Sequence, residues 1–362
     1  MMDEIITHKD TPTVLTEIPR YSAPAEPAAP ALARTRIPPL NVALFLLTLL
    51  TTTTSGALMN GEDISFSHPF LAVAALRSGL SFSIPLMMIL FAHEMGHYLT
   101  SRYHNVDASL PYFVPAPPVF PFMIGTLGAF IRQREPARTR RVMFDIGAAG
   151  PWAGVMLAIP AVIIGLHLSD VTPLDKSGGG LELGNSLLFL GLSHLMLGVD
   201  PSTVNVNLSP IAFAGWLGLF VTSLNLLPMG QLDGGHVIYA LFPRRHRTIS
   251  VLFFITCLLM ILVPLALGIS FWGGWLLWAV VALALGLGHP STVDRDTPLN
   301  PRRALAAWAT VALFIVTFSP VPLAFVPPEA PLPTEENSHS QEIIHHAPHY
   351  DQMLRQLGRV KI

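Results

Sequence analysis

The placement of charge constrains this chain more than any other feature. No Asp, Glu, Lys or Arg occurs in residues 40–59, 183–198, 211–232, 250–293 or 304–326. Residues 79–100 hold only Glu94, and residues 142–168 only Asp145. About 20 apolar residues cross a bilayer as a helix, so these blocks predict an all-α polytopic membrane protein with six or seven transmembrane helices. Pro264 and the glycines between 268 and 274 divide the longest block into two helices with a tight return. The block at 183–198 is short enough to be either a crossing or a re-entrant or interfacial element.

Composition agrees with the pattern. Only 12% of the 362 residues are charged and 51% are hydrophobic, with a mean hydropathy of +0.52. A soluble domain carries roughly 25% charged residues, so an ordinary soluble enzyme is excluded. A net charge of -2 offers no basic face for a phosphate backbone, so no nucleic-acid partner is expected. Cys257 is the single cysteine, which excludes a disulfide framework and any multi-cysteine metal site. Residues 1–38, rich in Pro, Ala and Thr, read as a disordered tail without a signal-peptide pattern. Residues 327–362 read as a polar Pro- and His-containing tail, with His339, His345, His346 and His349. The domain between the tails is 39–326.

Lys and Arg positions predict orientation. Arg102, Arg132, Arg134, Arg138, Arg140 and Arg141 form one group, Arg244, Arg245 and Arg247 a second, and Arg295, Arg302 and Arg303 a third. The alternating loops hold only Arg77 and Lys176. The positive-inside rule then puts the Arg-rich loops and the N-terminus on the cytoplasmic side, or its organellar equivalent. Counting helices from that side brings Glu94 and Asp233 to the same membrane level.

An ionisable group at membrane depth is costly and marks function. His93, Glu94 and His97 stand together in the 79–100 block. Histidines four apart share one helix face and can grip one zinc ion, and the adjacent glutamate can take a proton from zinc-bound water. Shuffling this composition yields His-Glu-x-x-His only about 0.02 times. A third ligand is needed, and Asp233 is the best intramembrane carboxylate further along the chain. Asp145 competes for that role, although its neighbours Arg138–Arg141 suggest a surface ion pair instead. Pro228, Gly230, Gly234 and Gly235 predict a broken helix ahead of and around Asp233, tolerable in a membrane only where freed backbone lines a polar cavity or binds something.

With His-Glu-Met-Gly-His at 93–97, Gly-Ala-Ala-Gly-Pro-Trp-Ala-Gly at 147–154 and Asn-Leu-Leu-Pro-Met-Gly-Gln-Leu-Asp-Gly-Gly at 225–235, the chain resembles the site-2 protease family of intramembrane zinc metalloproteases. The resemblance covers roughly residues 79–245, and the wording of its third motif looks most like the bacterial and chloroplast branch. It implies one Zn2+ on His93, His97 and Asp233, with Glu94 as general base and acid. It also implies cleavage of a membrane-spanning segment of another protein, commonly after a first cut by a different protease. A bacterial cytoplasmic membrane is the expected location, with an organellar membrane as the alternative. Read alone, Gly147, Gly150 and Gly154 mark close helix packing.

The stretch 113–134 is apolar but too rich in proline to cross as a helix. Its second half, with Gly125 and Gly128 among β-favouring residues, suits either a strand whose open edge pairs with an unwound substrate or a loop that plugs the bundle. The resemblance, in which a re-entrant β element follows the first motif's helix, favours the strand. Asn225 suits either the wall of a polar route for water or a hydrogen bond to substrate backbone or a developing oxyanion. Two rival readings are a secondary transporter, which would be expected to show an internal repeat, and a catalytically silent scaffold of the same fold, which would normally lack one of the four motif residues.

Overall fold

The computed structural model describes residues 37–62, 69–119, 123–135, 137–173, 180–198, 203–269, 271–289, 292, 294, 297–326 and 360–361. Apart from 37–38 and 360–361, the two tails read from the sequence lie outside this set, as do Lys176 and Arg295.

Three helices form the centre: α2 (Pro69–Tyr103), α3 (Arg140–His167) and α5 (Pro210–Asn225). Their contact is an apolar layer in which Phe82, Leu86 and Ile89 meet Val155, Val162, Phe213 and Leu217. Helix α1 (Pro39–Met59) lies along α2, where Gly56 comes up against the Gly79 backbone. The Thr52 and Ser83 hydroxyls hydrogen-bond across that contact at 2.6 Å. Most other α1 hydroxyls, Thr48 and Thr53 among them, return their proton to the carbonyl four residues back, which hides a polar group inside an apolar helix. Beyond the centre lie α4 (Leu187–Leu197), α6 (Asp233–Leu241), α7 (His246–Leu267), α8 (Gly274–Leu285) and α9 (Pro301–Thr317).

Among the described residues, α1, α2, α3 and α7 are long and apolar enough to cross a membrane, and α4, α5 and α8 are shorter apolar helices. Large apolar side chains such as Leu46, Met88, Met156, Leu262 and Leu276 are exposed on their surfaces. A polytopic membrane protein presents such a face to lipid, whereas a soluble one rarely does.

Several boundaries differ from the charge-free blocks. Helix α2 starts ahead of residue 79 and includes Arg77, whose side chain is exposed near the helix start. At 11 residues, α4 is about 16 Å long, too short to span. The block 304–326 is helical only to Thr317. Pro320 and Pro322 then prevent continuation, and its end is a strand. The longest block divides as expected, with α7 running through Pro264 and closing on Gly268 in the left-handed region at φ 67°.

Strands β1 (Tyr112–Pro115) and β2 (Thr126–Phe130) pair antiparallel after α2. Both are tied to α1. Asn41 donates its amide to the carbonyls of Leu110 and Pro111, and Thr51 donates to the Gly125 carbonyl at 2.6 Å. Gly125 sits at φ 81°, and a Cβ there would meet the Thr51 carbonyl at 2.5 Å, so only glycine suits this entry to β2. A second sheet lies outside the all-α expectation. Strands β3 (Asp170–Pro173), β4 (Gly180–Leu183), β5 (Val204–Asn207), β6 (Leu323–Val326) and β7 (Val360–Lys361) run in the order β3-β5-β7-β4-β6. Each has at most four residues, too short to show against neighbouring apolar blocks in a charge map.

One ion cluster joins α2, α3 and α9. Asp145 receives Arg303 through two guanidinium nitrogens, at 2.8 Å on each carboxylate oxygen, and lies 2.9 Å from His104. The Asp145 hydrogen bonds hold the Arg303 guanidinium above its ordinary range. The ion-pair reading of Asp145 therefore stands, but its partner is Arg303, not the adjacent 138–141 group. Asp145→Ala should lower stability by about 1–3 kcal/mol. The control Arg134→Ala, which breaks an exposed pair with Asp107, should cost less than about 1 kcal/mol. Thermal unfolding in detergent micelles compares the two.

Candidate metal centre

Helix α2 sets His93 and His97 one turn apart on the face that meets α3 and α5, with Glu94 beside them. All three are buried. Asp233 arrives from a distant part of the chain because the backbone breaks where proline and glycine predicted it. Helix α5 stops at Asn225, an irregular turn follows, and α6 begins at Asp233. Gly230 occupies the left-handed region at φ 52° within the turn. The turn is pinned from outside: Ser250 of α7 accepts from the Gly230 amide, and the Gln231 amide reaches the Leu285 carbonyl at the end of α8. Asp233 thus lies in the first turn of α6, where a carboxylate is favoured by the helix dipole.

The geometry is tight. Asp233 Oδ2 lies 3.3 Å from His93 Nε2 and 3.2 Å from His97 Nε2, and the two imidazole nitrogens are 3.1 Å apart. Among the described residues, His93, His97 and Asp233 are the one group of three or more His, Cys, Asp or Glu residues placed to hold a metal ion. On the far side of the His97 ring, Nδ1 is 2.8 Å from the Ile146 carbonyl. That contact holds the proton on Nδ1 and leaves the Nε2 lone pair facing the group. Asn225 brings its amide nitrogen within 3.1 Å of His93 Nε2. The backbone amide of Ile131, the residue that follows β2, faces Glu94.

Sequence reasoning named His93, Glu94, His97, Asp233 and Asn225, and the structure brings all five together. Gly125 and Gly128 flank and lie within β2, which Ile131 connects to Glu94. Asp145, the competing carboxylate, is occupied by Arg303 and His104 and stands apart from the group. The Ile146 carbonyl was missed, because a backbone acceptor leaves no trace in residue type. Gly147, Gly150 and Gly154 of α3 were read as packing, and the last two pack against the site itself. A Cβ at Gly150 would overlap the His97 imidazole, and one at Gly154 would lie 3.3 Å from His93 Nδ1.

Residues 81–267, more than half of the chain, match the profile described as Peptidase family M50, and the chain belongs to that family, the site-2 protease family. It is similar to "Probable zinc metalloprotease EGY1, chloroplastic" of Arabidopsis thaliana, with 32% identity over 188 residues, covering 50% of this chain and 32% of the relative. The protein of that name from Oryza sativa subsp. japonica is 33% identical over 187 residues, covering 50% of this chain and 30% of the relative. "Probable zinc metallopeptidase EGY3, chloroplastic" of Arabidopsis thaliana is 30% identical over 289 residues, covering 70% of this chain and 44% of the relative. The chain therefore spans about a third of the length of the first two. No solved structure matches it.

If Gly150 exists to admit the His97 ring, filling that space displaces a ligand atom. Gly150→Val should weaken divalent-metal binding at least tenfold, while Gly191→Val, where a Cβ meets nothing within 4 Å, should leave it unchanged. Equilibrium dialysis with elemental analysis of the purified protein reads both.

Proposed function

We propose that this chain is an intramembrane zinc metalloprotease that hydrolyses a peptide bond in or near the transmembrane segment of another membrane protein. One Zn2+ is held by His93, His97 and Asp233. The observation that carries this reading is the convergence of two imidazole nitrogens and one carboxylate oxygen at 3.1–3.3 Å from one another, beside the buried Glu94. Zinc with bonds of about 2.0–2.1 Å has a tetrahedral edge of roughly 3.3 Å, so the donor set fits the ion by both chemistry and spacing. Three protein ligands leave a fourth position open, as catalytic sites do and structural sites do not.

When bound, zinc supplies Lewis acidity to the scissile carbonyl and to a water molecule. Glu94 accepts that water's proton and returns it to the leaving nitrogen. The backbone amide of Ile131 faces this carboxylate from the end of β2. Asn225, whose amide nitrogen reaches the ligand atom of His93, donates to the carbonyl oxygen as negative charge develops there. That position supports the oxyanion role over the wall of a water route. The β1–β2 unit acts as a re-entrant element, and an unwound substrate segment pairs with the β2 edge so that one peptide bond reaches Glu94.

The catalytic core is 79–245 within a domain at 39–326. Of the six or seven crossings, six are reached by counting α5 and α8 with the four long helices; α4 is too short to add a seventh. The Arg-rich loops and the N-terminus face the cytoplasm of a bacterium, or the equivalent side of an organelle. The printed names of the relatives place those proteins in chloroplasts. The substrate is a membrane protein already cut once by another protease. A silent scaffold of this fold would have no use for a complete donor set with its glutamate.

Glu94→Gln should retain zinc and lose cleavage of a transmembrane reporter by a factor of about 10²–10⁴, whereas His93→Ala and Asp233→Ala should lose both. Equal cleavage by wild type and Glu94→Gln would reject the protease reading. For the strand edge, proline is a poor probe at Gly125 or Gly128, because both have positive φ and a proline ring cannot follow. Gly128→Ala, with open space around its Cβ but φ 100°, should lower cleavage roughly tenfold with zinc content unchanged.

A further inference from the structure

A second knot of histidines lies beside the first centre and has no part in the mechanism above. His236 sits on α6 one turn beyond Asp233, His246 is the first residue of α7, and His289 lies in the segment after α8. We propose that these three imidazoles form a second, weaker site for a divalent transition metal.

The spacing of the first centre supplies the comparison. His93 and His97 place their ring centroids 4.8 Å apart at 72°, with ligand nitrogens at 3.1 Å. His236 and His289 place theirs 4.9 Å apart at 74°, with His236 Nδ1 at 2.7 Å from His289 Nε2. The second pair thus shares the ring spacing and inclination of the first, although its nitrogens, Nδ1 and Nε2, are hydrogen-bonded to each other and its members come from two separate elements. His246 adds a third ring, 5.4 Å from His289 at 83°. It is 2% exposed, and its Nε2 is a buried polar atom with no hydrogen-bond partner. Such an atom carries an uncompensated desolvation cost unless something binds it.

The surroundings fix the knot in place. Tyr239 stacks on His289 at 4.5 Å and 27°, and its hydroxyl accepts from the Thr292 amide. Gly147 of α3 leaves room for His236, since a Cβ there would lie 2.7 Å from the His236 Cβ. The pair His236 and His289 is the anchor, because the ligand atoms of all three rings do not yet meet as those of His93, His97 and Asp233 do. His246 completes the set when its ring turns toward them. Imidazole donors select zinc, copper, nickel or cobalt over magnesium and calcium. A metal here would tie α6, and with it the backbone that carries Asp233, to α7 and to the segment after α8.

Cobalt titration of the purified full chain tests this. His339, His345, His346 and His349 are replaced by alanine in every sample, and no histidine tag is used, so that the tail contributes no sites. The expected result is about two equivalents of Co2+ by equilibrium dialysis, the second bound more weakly. His289→Ala should bind about one equivalent, at the affinity of the first site. His93→Ala should also bind about one, at the affinity of the second. His246→Gln, which keeps a polar group of similar size, should weaken the second equivalent at least tenfold and leave the first unchanged. A single equivalent without the His93→Ala change, or a second equivalent untouched by His289→Ala, would overturn the proposal. The readout is metal content alone, so it stands or falls separately from proteolysis.

Discussion

A carboxylate held against two imidazoles inside an apolar bundle is the constraint on which the rest of this structure depends. Asp233 and His97 are 136 residues apart in sequence and 3.2 Å apart in space. An unpaired charge in such surroundings would be expensive, so the chain must deliver both sides of the contact together. Helix α2 does so by periodicity alone, since a spacing of four returns a side chain to the same face. The other side requires the opposite device. A continuous helix through 211–232 would have given the residues after Asn225 positions set by helical periodicity, with no freedom to aim a carboxylate. The break after Asn225 restarts the helix at Asp233, and hydrogen bonds from the Gly230 amide to Ser250 and from Gln231 to the Leu285 carbonyl hold the restart in place.

These two devices also explain what could be read without coordinates. His93, Glu94 and His97 declare themselves because all three belong to one helix in an otherwise uncharged block. The break before Asp233 is legible because proline and glycine act locally. The partner of Asp145 was another matter. Arg138–Arg141 lie next to it in sequence, but one guanidinium among many wins through tertiary placement, and it is Arg303 on α9. The five-stranded sheet escaped for a related reason. Its strands pair segments far apart in the chain, and each is too short to show its own alternation beside long apolar helices.

Hydrogen bonds to the backbone are the deepest layer of what residue types conceal. The Ile146 carbonyl that orients His97 and the Ile131 contact of Glu94 would be made by many other residues at those positions. Both lie where the chain had been read for something else: packing in the first case, a strand edge in the second. The β1–β2 unit is fastened to α1 through Asn41 and Thr51, and its far end reaches the glutamate of α2. The strand pair is therefore tied to α1 and faces α2.

The glycines of α3 show how a motif that is weak in isolation acquires meaning from the helix beside it. Gly150 faces His97 and Gly154 faces His93. Each pair is separated by four residues, and the order is reversed between the helices, as antiparallel neighbours require. The spacing on α3 is therefore the reflection of the spacing on α2: one helix carries rings where the other carries hollows. Ile146, four residues before Gly150, continues the same row and turns its carbonyl toward His97. A side chain larger than hydrogen at Gly150 would close the hollow and push the ring from the carbonyl that orients it. The Gly-rich stretch is thus general helix packing in its physics, and particular to this site in its register.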